Sequence, residues 1–88
     1  MSDRYFFVFN SKNQAVYMES ILKEKGYRVE LRPTPSKLAK SCNTSLVVTG
    51  RPMEIEAVKK HISDCRMSVR GIYTETKTGY YTNYTKVY

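Results

Sequence analysis

The sequence predicts a single small α+β domain, one antiparallel sheet with two helices packed against it. Three observations lead there. Short apolar or alternating runs recur along the chain, two amphipathic stretches of helical period interrupt them, and Gly or Pro marks most of the boundaries. At 88 residues there is room for one domain only. A chain of this size buries only about 60–65% of the surface its unfolded form exposes, so its core must be used fully.

Each element has its own signal. Tyr5-Phe6-Phe7-Val8-Phe9 is almost wholly apolar, the pattern of a central strand (5–9). Ser11-Lys12-Asn13-Gln14 has the form of a capping box, and Ala15, Met18, Ile21 and Leu22 follow at helical spacing (12–25). Gly26 stops that helix, with Lys23 and Lys25 in its last turn. Tyr27 to Arg32 alternates, with Tyr27, Val29 and Leu31 turned inward and Arg28, Glu30 and Arg32 toward water (27–32). Pro33-Thr34-Pro35 ends the strand, since proline cannot donate to a ladder. Residues 36–43 form a polar connector. Ser45-Leu46-Val47-Val48-Thr49 is a third strand (45–49). Pro52 suits the first position of a second helix (52–64), with Glu54 and Glu56 in its first turn and Ile55, Val58, Ile62 and Cys65 on its apolar stripe. Residues 68–75 make a fourth strand, and Thr76-Lys77-Thr78-Gly79 reads as a turn.

The resulting order βαββαβ is that of a ferredoxin-like two-layer sandwich, with both helices on one face of a four-stranded sheet and the other face open. The domain is assigned residues 1–78. Residues 79–88 form a Tyr-rich extension, either an extra strand or a tail. As a strand it would place Tyr80, Tyr84 and Tyr88 on one face, a candidate interaction surface that permits pairing with the fourth strand or with a second copy in a homodimer.

Composition narrows the function classes. The net charge is +7, from 15 Lys and Arg against 8 Asp and Glu, which favours acidic partners such as an acidic protein or nucleic acid. The basic residues form no long run, so nucleic acid is not favoured. The aromatic first strand would suit an RNA-recognition module, but the third strand carries no aromatic residue and lacks that module's signature. No stretch approaches a membrane span or a secretion signal, and the protein is expected in the cytoplasm. Only two cysteines and one histidine, His61, are present, without the paired spacing of a zinc site; no metal and no cofactor is expected. His61 stands among charges on the second helix and reads as a surface residue. No catalytic triad, carboxylate pair or Gly-rich phosphate loop is present, so the chain is not expected to be an enzyme by itself.

One residue type remains that carries chemistry. Cys42 sits in the polar connector, with Lys37, Lys40 and Arg32 near it in sequence; positive charge favours the thiolate, the nucleophilic form. Cys65, on the apolar stripe, reads as a small core residue.

The connector and its flanks resemble the selenium/sulfur carrier protein-like family of small bacterial proteins. Phe7-Val8-Phe9-Asn10-Ser11 and Ala15 match the opening of that pattern. Glu19, Leu22, Lys23, Lys25 and Gly26 match its helix, and Pro33, Pro35 and Cys42 match its signature. The resemblance covers residues 5–75 and leaves out the Tyr-rich extension. It implies a carrier or redox adaptor with Cys42 as acceptor thiol and Lys37, Lys40 and Arg32 as anion-stabilising residues, loaded by a larger sulfur- or selenium-handling protein. The chain departs from the pattern at Ser36 (Arg in the family), Ala39 (Ser) and Asn43 (Gly). Arg would bind an anionic chalcogen with a planar fork, whereas Lys offers only a point charge. The alternative is a non-catalytic interaction domain that binds an acidic protein or nucleic acid through its basic surface.

Overall fold

The computed structural model describes residues 3–35, 38, 44–67 and 69–87. Seven elements follow in the order β1 (Asp3–Phe9), α1 (Lys12–Glu24), β2 (Arg28–Pro33), β3 (Thr44–Gly50), α2 (Pro52–Asp64), β4 (Val69–Thr78) and β5 (Tyr81–Lys86). The strands make one five-stranded sheet of order β2-β3-β1-β4-β5. Every neighbouring pair is antiparallel.

β1 lies in the middle, and its sequence explains why. Tyr5, Phe6, Phe7, Val8 and Phe9 are all buried, so both of its faces are covered. Tyr5, Phe7 and Phe9 face the helices, where they join Ala15, Met18 and Leu22 of α1, Ile55, Val58 and Ile62 of α2, and Val29, Leu46, Val48 and Ile72 of the other strands. Both helices therefore pack on the same side of the sheet. Tyr27 and Leu31 lie against this core half-buried, in keeping with the alternation of β2.

Helix boundaries follow the chemistry of their ends. α1 stops at a Schellman turn: Gly26 N–H donates to the Lys23 carbonyl and Tyr27 N–H to the Leu22 carbonyl, both at 3.0 Å. Gly26 takes φ +89° to allow it. α2 ends in the same way, with Arg66 N–H on Ser63 O (2.9 Å) and Met67 N–H on Ile62 O (3.1 Å), but here Arg66 itself holds φ +58°. At the start of α2, Pro52 occupies the first turn and the Glu54 carboxylate accepts the Arg51 N–H at 3.3 Å.

Three expectations are corrected. Ser11 does stand at the N-cap of α1, but its side chain makes no capping hydrogen bond. Thr76-Lys77-Thr78 is not a turn: β4 runs through it, because these residues find partners in Asn83, Thr82 and Tyr81. The reversal is the two-residue loop Gly79-Tyr80, with Gly79 at φ +58°, where only glycine sits without strain. Tyr80 therefore lies in the loop, fully exposed, and not on a strand face with Tyr84. Tyr88 is outside the described residues. The C-terminal segment is a strand of its own sheet, paired to β4 from Tyr73↔Lys86 to Thr78↔Tyr81.

Candidate functional site

The connector between β2 and β3 begins and ends at one cross-strand pair, Pro33↔Thr44. Next to it the Thr34 and Ser45 hydroxyls lie 2.6 Å apart, and Ser45 is wholly buried. Inside the connector the Leu38 N–H donates to the Pro35 carbonyl at 2.9 Å. Cys42, Lys37 and Lys40 lie outside the described residues. The fold thus fixes the two ends of the Cys42-bearing stretch by a strand pair and a hydroxyl contact.

Arg32 stands on β2 just before the connector. It is exposed on the face away from the helices, and its guanidinium pairs with Glu30 at 3.1 Å. The two are neighbours on one strand face, because side chains alternate with period two. Cys65 is the free cysteine among the described residues. It closes α2 at its C-cap, half-buried against the core. His61 is not a free surface group: its ring meets Tyr27 edge-on, centroids 5.7 Å apart, and is half-buried.

The sheet face away from the helices is less open than the sequence suggested. Phe6, Val8, Val47 and Ser45 are all buried on it. Phe6 lies under two groups. The Tyr84 ring meets it edge-on with centroids 5.4 Å apart, and the Arg4 guanidinium lies 5.9 Å from its centroid. Glu75 ties these covers together, taking Arg4 at 3.3 Å and the Tyr84 hydroxyl at 3.4 Å. Burial raises the Tyr84 phenol above the ordinary tyrosine value. The Glu75 charge and the hydrogen bond to it push the same way, and Arg4 opposes them. Of the tyrosines singled out in the extension, Tyr84 alone among the described residues is drawn into packing.

Beside this cluster, at the β2 edge, lies a shallow hollow of about 370 Å³ whose walls include Arg4, Lys23, Arg28, Glu30, Arg32 and Val47. Its cations come from three elements, and sequence reading did not assemble them. The signal that existed was the outward alternation of Arg28 and Arg32. Arg4 reaches the same face only through the pairing of β1 with β3, Arg4↔Thr49, which sequence spacing does not reveal. Among the described residues no group of three or more His, Cys, Asp or Glu could hold a metal ion. Nor is any helix long and apolar enough to cross a membrane.

These features define a class: a small α+β domain in which the longest stretch between elements carries a cysteine and departs from a basic sheet edge. The chain belongs to the family described as "Putative Se/S carrier protein-like", whose model matches residues 4–74. The match runs from β1 into β4, includes the whole Cys42 connector, and leaves β5 outside it. No curated protein and no solved structure matches the chain.

Proposed function

We propose that this protein is a carrier of sulfur or selenium, with Cys42 as its acceptor thiol, and not an enzyme in its own right. The observation that carries this reading is the family match over residues 4–74, which spans the connector bearing Cys42. The first six elements are read as a ferredoxin-like βαββαβ sandwich. The order β2-β3-β1-β4 and the two helices on one face support that reading. β5 is an addition at the β4 edge.

The chemistry is thiol exchange. The Cys42 thiol gives its proton to solvent, and the thiolate attacks the outer sulfur of a persulfide on a larger donor protein. The donor's S–S bond breaks, a new S–S bond forms on Cys42, and the donor cysteine leaves as thiolate. No net oxidant or reductant is consumed. Cationic side chains near the acceptor in sequence, Lys37, Lys40 and Arg32, would favour the thiolate and then the charged persulfide. Arg32 meets this role only by exchanging its contact with Glu30, an exposed pair of the kind that contributes little to stability.

The test is intact-mass spectrometry after incubation with a cysteine desulfurase and cysteine. Wild type and Cys65→Ser should each gain the mass of one sulfur, reversed by a thiol reductant, while Cys42→Ser should gain nothing. Loading of Cys42→Ser equal to wild type, or no loading of wild type, would overturn the proposal.

A further inference from the structure

We propose that β2 is a docking edge for an extended, acidic segment of a partner protein, laid along the basic hollow beside it and leading to the Cys42 connector. The partner's identity as a sulfur donor rests on the carrier reading; the docking edge itself does not.

Three observations meet at this edge. First, β2 is an outer strand of the sheet, bonded to β3 on one side only. Among the described residues its outward N–H and C=O groups pair with no other strand, which leaves them to take a further one, as in recognition by strand addition. Pro33 ends that edge because it has no N–H to offer, so an added strand would pair alongside Arg28–Arg32 and stop where the connector begins.

Second, the charge beside the edge is mostly positive. Arg4, Lys23, Arg28 and Arg32 line the hollow against Glu30 alone. Arg4 is held by Glu75, Lys23 by Glu19 and Arg32 by Glu30. Arg28 forms no ion pair among the described residues, although it stands exposed between this hollow and a second one that it shares with Thr49, Gly50 and Glu54. It is the cation best placed to meet an incoming carboxylate. The Lys23 and Arg32 contacts are exposed pairs that a partner carboxylate can displace at small cost.

Third, the hollow is a poor stacking platform: Tyr27, the aromatic residue in its lining, is half-buried, and its ring already meets His61 edge-on at 5.7 Å. Tyr5 and Phe6, the β1 aromatics nearest to it, are 8% and 3% exposed, and the Phe6 faces are already taken by Arg4 and Tyr84. Single-stranded nucleic acid is held by base stacking on exposed rings as well as by charge. With the Tyr27 ring engaged by His61, charge and a strand edge are the main features offered here, and those favour an acidic peptide in extended form.

The experiment is fluorescence polarisation with a labelled peptide of alternating glutamate and valine. An isosteric glutamine–valine peptide and a single-stranded oligonucleotide serve as comparisons. The glutamate peptide should bind saturably, and Arg28→Glu should weaken it about tenfold or more. Lys60→Glu, the same charge change on an exposed site of α2, should weaken it far less. Amide exchange on the complex should show new protection within β2. Arg28→Ala, which removes the cation without adding repulsion, guards against misfolding of Arg28→Glu and should give an intermediate loss. No peptide binding, equal losses for Arg28→Glu and Lys60→Glu, or tighter Arg28-dependent binding of the oligonucleotide would each overturn the proposal. Cys42→Ser should bind the peptide as wild type does. Failure of sulfur loading and failure of docking are thus read by separate measurements.

Discussion

The Tyr84 ring meets the Phe6 ring edge-on, with centroids 5.4 Å apart and planes at 86°, although β4 lies between their strands. Tyr84 stands opposite Glu75, and Phe6 opposite Tyr73, so the tyrosine leans across β4 diagonally to reach it. Arg4 closes over Phe6 as well and shares Glu75 with Tyr84. The last strand thereby seals a side chain of the first, and β5 acts as part of the fold even though the family match ends before it.

Removing that cover should be measurable. Tyr84→Ala is expected to lower stability by about 1–3 kcal/mol, through exposure of Phe6 and loss of the ring contact. Tyr84→Phe should cost less than about 1 kcal/mol, because the part-buried hydroxyl contact to Glu75 is long, at 3.4 Å. Deleting residues 79–88 should cost at least as much as Tyr84→Ala. Urea denaturation read by circular dichroism checks all three. A truncated chain as stable as the full one would mean that β5 is a passive appendage.

Alkaline pH should act through the same residue. The Tyr84 phenol is raised, first by burial and then by Glu75, so the folded chain holds this proton to higher pH than the unfolded chain does. Its contribution is therefore fully present below the ordinary tyrosine value near 10 and is lost as pH rises through the raised one. The stability gap between wild type and Tyr84→Phe should shift against wild type above about pH 10. Absorbance titration should show one late phenolate in wild type that Tyr84→Phe lacks. A difference curve between the two that titrates at the ordinary tyrosine value would remove Glu75 and burial as causes.

The strands and helices were legible because their signals are local. The apolar run of Tyr5–Phe9, the alternation of Arg28–Arg32 and the stripe of Ile55, Val58 and Ile62 each announce one element and one buried face. The end of β4 was not legible. Thr76, Lys77 and Thr78 have turn-like neighbours, and only pairing with Asn83, Thr82 and Tyr81 makes them a strand. The same limit hid the Arg4–Glu75 pair and the basic hollow, whose members meet through sheet order and not through spacing. Cys42 lies outside the described residues, so its place as acceptor thiol still rests on residue type and the family resemblance.

The two helix ends offer a paired experiment on backbone strain. Gly26 at +89° and Arg66 at +58° occupy equivalent places in two Schellman turns. A side chain in this conformation costs about 1 kcal/mol, partly offset by the larger entropy that glycine loses on folding. Arg66→Gly should therefore raise stability by about 0.5–1 kcal/mol, and Gly26→Ala should lower it by a similar amount. Thermal melting of both variants decides it. A loss on Arg66→Gly would mean that the Arg66 side chain makes a contact worth more than the strain.

Gly71 poses a steric question of a different kind. It is buried on β4 opposite Val8, and a Cβ placed on it would lie 2.9 Å from Cε1 of Tyr73 and 3.2 Å from its hydroxyl. Its φ is not positive, so alanine meets no backbone strain there, and the obstacle is the Tyr73 ring lying back over the glycine. The clash is with the far end of a side chain, which can swing away if its neighbours allow. Gly71→Ala should thus cost about 1 kcal/mol, near the lower end of overpacking. The cost should come from displacing Tyr73 and from nothing else. In the Tyr73→Ala background the same substitution should be close to neutral, giving a coupling energy of about 1 kcal/mol in a double-mutant cycle. If Gly71→Ala costs the same with and without the Tyr73 ring, the close approach of ring and backbone is not what requires glycine at this position.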